Sequence, residues 1–386
     1  MVVPCFNDNM VINRIYADNA ATTSLDPDAL DTMMRLLQDY ANPSQPYSFS
    51  RTVKSELKKA RATIAECINA LPEEIYFTSG GSESDNWAIK KTIFNKTQGS
   101  RIITTAFEHH AVLNACKSVQ EAGCEVDYLY PTSDGKIQSE CLIELLRQPA
   151  HLVSVMYANN EIGSIQPIKE LAKIAHDHGA LFHTDAVQAI GHVPIDVRDL
   201  DVDLLSASAH KFNGPKGIGF LFVKKGTKIR PLIDGGAQEF GMRAGTENVP
   251  AICAMAVALK KNSDHLKTNS DVVRSLETHL LNQLVQGGVA FHKNGSENHL
   301  PGLISLSFKG ELGESILHRL DLKGISVSTG SACDSKSIQI SHVLKAIGLP
   351  EDLAKGTIRI SLGKGNTISD VDSIVNCLCS ILPKID

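Results

Sequence analysis

Between residues 74 and 223 short apolar runs alternate with longer amphipathic ones, and this alternation narrows the fold more than any other feature of the chain. Glu74 to Thr78 (EIYFT), Arg101 to Thr105, Val126 to Tyr130, His151 to Met156, Leu181 to Thr184, Val202 to Ser206 and Ile218 to Val223 have the length and composition of buried strands. Helices are expected from about Ser82, over Ala111 to Glu121 and over Ile168 to His178. Strands separated by helices pair in parallel, so the stretch predicts an α/β layer with a largely parallel sheet. From Val249 the pattern changes. A long helix (VPAICAMAVALKK) is followed, after a polar joint, by another near Asp271 to Leu284, then by Leu303 to Phe308, Ser315 to Leu322 and Thr357 to Ser361. This α+β pattern marks a smaller C-terminal domain. The expected division is a large domain over 15–259 and a small one over 260–386, joined by 1–14.

The 386 residues, 42% hydrophobic and 21% charged, suffice for two such cores. The formal charge of −5 provides no global basic field to attract nucleic acid, and direct binding to it is not expected. No run of eighteen apolar residues suggests a membrane helix, and MVVPCFNDNM does not read as a secretory leader, so a cytoplasmic location is expected. The nine cysteines are odd in number, irregularly spaced and without a C-x-x-C, which argues against a zinc ribbon or a thioredoxin-type site. Most of them are expected to be small buried hydrophobes in a reducing compartment, Cys377 and Cys379 forming a close pair near the C-terminus.

Six motifs carry chemistry. In Ser206-Ala-Ser-Ala-His-Lys211 an apolar strand runs into His-Lys and a Gly/Pro-rich turn. A lysine amine desolvated or crowded by cations forms Schiff bases with carbonyls; a lysine snorkelling from a strand end is the competing reading. Thr78-Ser-Gly-Gly-Ser-Glu-Ser-Asp-Asn86 joins a strand to a helix, so its glycines and Ser82 offer an anion site or an ordinary cap. In His183-Thr-Asp185-Ala-Val-Gln188 a strand ends on a carboxylate, which either caps the turn or pairs with a protonated ring nitrogen. Together these three motifs fit pyridoxal 5′-phosphate (PLP): Lys211 for the aldehyde, Ser82, Ser208 and His210 for the phosphate, Asp185 for the pyridine nitrogen and Gln188 for the phenolic oxygen. Thr105-Ala-Phe-Glu-His109-His110 opens a helix with an imidazole able to stack on a ring and move protons, and no ligand set for a metal accompanies it. Cys333 lies in a Gly/Ser-rich stretch without a core pattern, as suits a nucleophilic thiol, although the neighbouring Asp334 disfavours its thiolate. Arg359 alternates with apolar residues in Thr357-Ile-Arg-Ile-Ser-Leu-Gly363, where it faces either solvent or a cleft in which its fork can take a carboxylate.

These motifs, in this order, resemble the cysteine desulfurases from Tyr16-Ala-Asp-Asn-Ala-Ala-Thr-Thr23 to Arg359-Ile-Ser-Leu-Gly363. The Thr-Gly-Ser-Ala-Cys333 loop is similar to that of the class tied to iron–sulfur assembly and nitrogen fixation. The resemblance implies the aspartate-aminotransferase-like fold (fold type I), an α/β architecture with a large, mostly parallel-sheet domain and a smaller α+β domain. It implies catalytic roles for Lys211, Cys333 and His109. It implies PLP contacts from Gly81, Ser82, His109, Asn160, Asp185, Gln188, Ser208, His210 and Lys211, and from Thr246 acting across a homodimer. Asn42, Asn160 and Arg359 would bind the substrate, L-cysteine. Cys333 would take its sulfur as a persulfide and pass it to a scaffold or sulfurtransferase protein in iron–sulfur assembly, tRNA thiolation or DNA phosphorothioation.

Tyr47 stands where the family often has His, Ser50 where it has Gly, Gly81-Ser82 where Ala-Thr is common, and Asp334 where Ser or Thr is usual. Two other readings follow from these differences and from the shared fold. One is another PLP enzyme, such as a selenocysteine lyase or an aminotransferase, the latter needing no thiol at 333. The other is a weakened scaffold that binds sulfur-acceptor proteins.

Overall fold

A computed structural model describes residues 14–93, 99–329 and 340–384. Its strands are β1 (Ile15–Tyr16), β2 (Ile75–Thr78), β3 (Arg101–Thr105), β4 (Glu125–Leu129), β5 (Leu152–Ser154), β6 (Leu181–Asp185), β7 (Leu204–Ser208), β8 (Gly219–Val223), β9 (His292–Asn294), β10 (Leu303–Ser307), β11 (Ile325–Ser326) and β12 (Thr357–Ser361). Seven of them form one sheet in the order β2-β8-β7-β6-β5-β3-β4. Only β8 runs against its neighbours; the β7–β6, β6–β5, β5–β3 and β3–β4 pairs are parallel. The reversal has a physical cause. Ten residues join β7 to β8, fewer than a parallel crossover needs, so the chain turns straight back. Gly217 takes φ +76° in that turn, and a Cβ at Gly219 would lie 2.3 Å from the carbonyl oxygen of Ala207. The Gly/Pro-rich stretch after Lys211 therefore serves as a hairpin return, which leaves Lys211 at the end of β7.

The sheet is covered on both faces, which is why its strands read as continuous apolar runs. Alternate residues serve the two sides: Ile103, Val153 and Leu205 join one apolar cluster, while Ile102, Leu152, Leu204 and Leu221 join another with Trp87 and Val112 from helices Gly81–Thr92 and His110–Glu121. Helix Val249–Asp264 belongs to the first cluster and packs on helices Pro27–Leu37 and Arg51–Cys67, neither of which was expected from the sequence. The first of these starts on an Asp26 cap with Pro27 in its first turn and buries only Ala29 and Leu36.

A separate apolar cluster contains Ile15 and Ala17 from the N-terminal segment, Leu280, Ile304, Leu306, Ile316, Ile358, Ile360, Ile374 and Leu378. Here helices Leu266–Gln286, Gly313–Asp321 and Ile368–Ile381 accompany the antiparallel sheet β12-β10-β9 and the parallel pair β1–β11. Val343 and Leu344, which follow β11 in the chain, pack into the first cluster instead. Of the described cysteines, Cys116, Cys124, Cys253 and Cys377 are buried, Cys67 and Cys379 half-buried and Cys141 exposed.

Candidate active site

Parallel strands deliver their C-terminal ends to one edge of the sheet, the edge where ligands bind in open α/β folds. At that edge β6 ends on Asp185 and β7 on Ser208, three residues before Lys211. The cavity there has a volume of about 500 Å³. Gly81, Ser82, His109, Asn160 and Asp185 line it, as do Gln188, Ser208, His210, Lys211 and Arg359. Ten of the residues singled out in the sequence thus share one cavity.

Lys211 Nζ donates to the carbonyls of Ala20 at 2.5 Å and Ala21 at 2.8 Å, while His192 Nε2 donates to the Lys211 carbonyl at 2.7 Å. Gln188 Nε2 also donates to the Ala20 carbonyl, at 3.0 Å. Helix Gly81–Thr92 begins without a side-chain cap, after Gly80 at φ 147°. A Cβ on Gly81 would sit 2.6 Å from Val187 Cγ2 and 3.6 Å from Ser208 Cβ, so bare backbone faces the cavity at the positive end of the helix dipole. Burial and the Lys211 charge depress His210 to about 4, which makes it a neutral hydrogen-bonding partner rather than a cation.

His109 caps the next helix: its Nδ1 accepts from the Ala111 amide at 3.1 Å, which places the ring proton on Nε2. Burial lowers its pKa, with the Asp185 charge opposing, and the ring is neutral near pH 7. Asp185 Oδ1 accepts from the Val187 amide at 2.9 Å. Burial raises its pKa, while His109 and Lys211 pull it back.

Beneath Asp185 lie two acids that the sequence reading did not single out. Burial drives Asp85 well above its ordinary value, reinforced by the Asp185 charge, and drives Glu108 to about 8. Glu108 Oε1 accepts from the Met156 amide at 2.7 Å and the Thr105 hydroxyl at 2.9 Å, whereas Glu108 Oε2 and Asp85 Oδ1 have no hydrogen-bond partner among the described residues, the latter lying 3.7 Å from His183 Nε2. His183 sits between the hydroxyls of Ser154 (2.8 Å) and Ser206 (3.0 Å), and burial depresses it to about 3. Burial thus favours the neutral forms of Asp85, Glu108 and His183.

Arg359 reaches the cavity from β12. Its Nη1 donates to the Asn160 carbonyl at 2.8 Å and its Nη2 to Asp18 Oδ1 at 2.7 Å. Two expected site residues lie elsewhere. Asn42 is half-buried, with Oδ1 accepting from the Ser44 amide, and is outside the cavity lining. Thr246 is exposed and also outside that lining. Cys333, with Asp334, lies outside the described residues; Thr329 before it and Ile340 after it both line the cavity. Tyr47 is 47% exposed and does not line it. Asp18 and Glu161 do line it; Asp18 stands inside Tyr16-Ala-Asp-Asn-Ala-Ala-Thr-Thr23, where a carboxylate among small or amide residues was the available signal, and Glu161 directly follows Asn160.

PLP fits this donor set: an amine at a strand end, a carboxylate at the end of the next strand, and an uncapped helix start whose bare glycine backbone faces the cavity. The fold and cavity together define a PLP-dependent enzyme of fold type I. Residues 15–374 match the model of the aminotransferase class-V family. The chain is 44% identical to a cysteine desulfurase IscS of Methanosarcina thermophila, over 96% of this chain and 92% of the relative. It is 43% identical to a putative cysteine desulfurase IscS 1 of Bacillus subtilis, over 97% and 100%. Among solved structures, a NifS-like protein superposes with a TM-score of 0.90 at 38% identity, covering 95% of this chain and 99% of that one. SspA in complex with cysteine superposes at 0.82 with 35% identity, covering 92% and 100%. The chain belongs to the class-V aminotransferase family, in its cysteine desulfurase branch. Among the described residues no helix is long and apolar enough to cross a membrane, and no cluster of three or more His, Cys, Asp or Glu could hold a metal ion.

Proposed function

We propose that the chain converts L-cysteine to L-alanine, takes the sulfur onto Cys333 as a persulfide and passes it to an acceptor protein, a scaffold or a sulfurtransferase. One observation carries the reading: a single cavity holds Lys211, His109, Asp185 and Arg359, with the residues flanking the Cys333 segment on its wall. When bound, PLP supplies a ring that accepts electrons from the substrate carbon. Lys211 is the amine that holds the cofactor and moves protons at the substrate Cα. Asp185 would pair with the pyridine nitrogen, and His109, with its proton on Nε2, would stack on the ring and shuttle protons. Gln188 and Asn160 serve the phenolic oxygen. Gly81, Ser82, Ser208 and His210 would hold the phosphate, with Thr246 reaching it from the second subunit of a homodimer.

Arg359 takes the substrate carboxylate, with its planar fork suited to that shape. The part of Asn42 in this rests on the family resemblance. In the sulfur step the Cys333 thiolate bonds to the substrate sulfur, the carbon–sulfur bond breaks, and its electron pair stays on the substrate carbon, which takes up a proton. Enzyme thiol plus cysteine gives enzyme persulfide plus alanine, the sulfurs being oxidised as the carbon is reduced.

A homodimer is supported by Thr246, exposed and outside the lining of its own cavity, and by Phe240, 64% exposed on the same segment. The separate apolar clusters support a division into two domains near residue 260, and a cytoplasmic location fits this chemistry. The test is single-turnover sulfur transfer from L-cysteine. Lys211→Ala should form no alanine. Cys333→Ala should keep the cofactor's visible band and its shift with cysteine, yet release no sulfide with a reductant. Normal sulfide release from Cys333→Ala would overturn the persulfide assignment, and formation of a keto acid by the unaltered protein would indicate an aminotransferase.

A further inference from the structure

We propose that Asp18 is a positioning residue for the substrate carboxylate: it holds the Arg359 guanidinium by Nη2 so that the remaining N–H groups meet the carboxylate of an amino-acid substrate. The inference rests on the reading of Arg359 given above.

The main chain fixes Asp18. It follows β1 by two residues and bridges Ser361 in parallel, on the strand that carries Arg359 two positions earlier. The Ser361 amide donates to the Ala17 carbonyl at 2.7 Å and the Asn19 amide to the Ser361 carbonyl at 3.1 Å, clasping Asp18 on both sides. The Tyr16 hydroxyl bonds the carbonyls of Asp18 (3.0 Å) and Thr22 (2.8 Å), bracing the turn. From this fixed base the carboxylate reaches Arg359 Nη2 at 2.7 Å.

The two side chains are 7% and 18% exposed, Arg359 and Asp18 respectively, and both line the cavity. A guanidinium has five N–H groups. Asp18 and the Asn160 carbonyl each engage one terminal nitrogen, whereas Arg359 Nε is buried without an acceptor among the described residues. An arginine held this way but incompletely satisfied is set up to take a further acceptor. Asp18 cannot itself attract a carboxylate, since like charges repel. Its contribution passes through Arg359: it confines a side chain whose rotamer freedom would otherwise be lost on binding.

The experiment titrates the holoenzyme with two ligands, following the cofactor absorbance. L-alanine carries the carboxylate and lacks the thiol; ethylamine carries neither. Asp18→Ala should weaken L-alanine about tenfold, the size of one charge-assisted bond, and leave ethylamine within about twofold. Asp18→Asn keeps the oxygen acceptor and should recover most of the loss. Equal weakening of both ligands would mean that Asp18 only supports the cavity wall, and unchanged or tighter L-alanine would mean that it is idle or competes for Arg359; either overturns the proposal. Arg359→Ala is run beside them. If it leaves L-alanine binding unaltered, the reading of Arg359 fails and this one with it; a loss there without a loss in Asp18→Ala overturns this one alone.

Discussion

Replacing Glu239 with Ala should loosen the segment that presents Phe240 and Thr246. Glu239 stands at φ 48° and Phe240 at φ 59°, left-handed backbone that costs a residue with a side chain roughly 1–2 kcal/mol. A buried contact holds them there. The Glu239 carboxylate accepts from Arg61 Nη2 at 2.5 Å, Arg61 Nη1 at 2.8 Å and the Phe77 amide at 2.9 Å. The guanidinium lies 4.3 Å from the Phe77 ring centroid and 5.2 Å from that of Phe240. The side chains are 10% and 2% exposed, so removing the carboxylate strands a buried cation and a backbone amide. Breaking one side of such a pair costs about 3–5 kcal/mol. At about 2.1 cal/mol/K per residue the whole chain of 386 residues has an unfolding entropy of about 0.8 kcal/mol/K, which converts the loss into a fall in Tm of about 4–6 °C. Calorimetry of the cofactor-free protein measures this, and limited proteolysis shows whether the segment opens. Because Thr246 is proposed to reach the partner's phosphate site, dimer affinity should fall as well. A Tm within about 1 °C of the unaltered protein, with no new cleavage near residue 240, would refute the assignment of the pair as the anchor.

The buried acids set a pH dependence. Glu108 at about 8 and Glu161 at about 7 keep protons in the folded state that a free carboxyl, at 4.5, has released. The folded chain then binds more protons than the unfolded one, so stability falls as pH rises through that window. His183 and His210, depressed to about 3 and about 4, act in the opposite sense, but only below their ordinary 6.5. Between pH 6.5 and 8 the carboxylates dominate this group, so Tm should fall, and Glu108→Gln should flatten the fall; an unchanged slope would show that Glu108 is already ionised. Gly81→Ala should weaken PLP binding about tenfold, because the new methyl meets Val187, and Gly81→Ala with Val187→Ala should restore it. Recovery failing in the double variant would locate the damage in the phosphate cradle instead.

The sequence disclosed what is local. β3 spans Arg101–Thr105 as its composition suggested, and Lys211, Asp185 and Gly81 are legible because strand ends carrying an amine, a carboxylate and a glycine are unusual each time. Helices Pro27–Leu37 and Arg51–Cys67 were not: the first buries two residues in eleven, and the second is rich in lysine and arginine, so neither displays a full apolar stripe. Asp85 and Glu108 were read as parts of polar motifs, since their burial depends on the sheet packing that surrounds them.

The residues from Tyr16 to Ser24 were the hardest to read, and their physics explains why. Beyond Tyr16, which ends β1, they are small or polar, have no periodicity and lie outside regular structure. Yet the carbonyls of Ala20 and Ala21 receive Lys211, Ala20 also receives Gln188, Asp18 holds Arg359, and Thr22 meets His210. These bonds span from 168 to 341 positions along the chain. Local pattern reading cannot detect such contacts, whereas a segment of small residues is the kind that fits between two apolar clusters without displacing either. A stretch of mostly small side chains can still determine a site when its backbone carbonyls provide the acceptors. Substitutions that enlarge Ala20 or Ala21 should therefore disturb Lys211 although they alter no charged group.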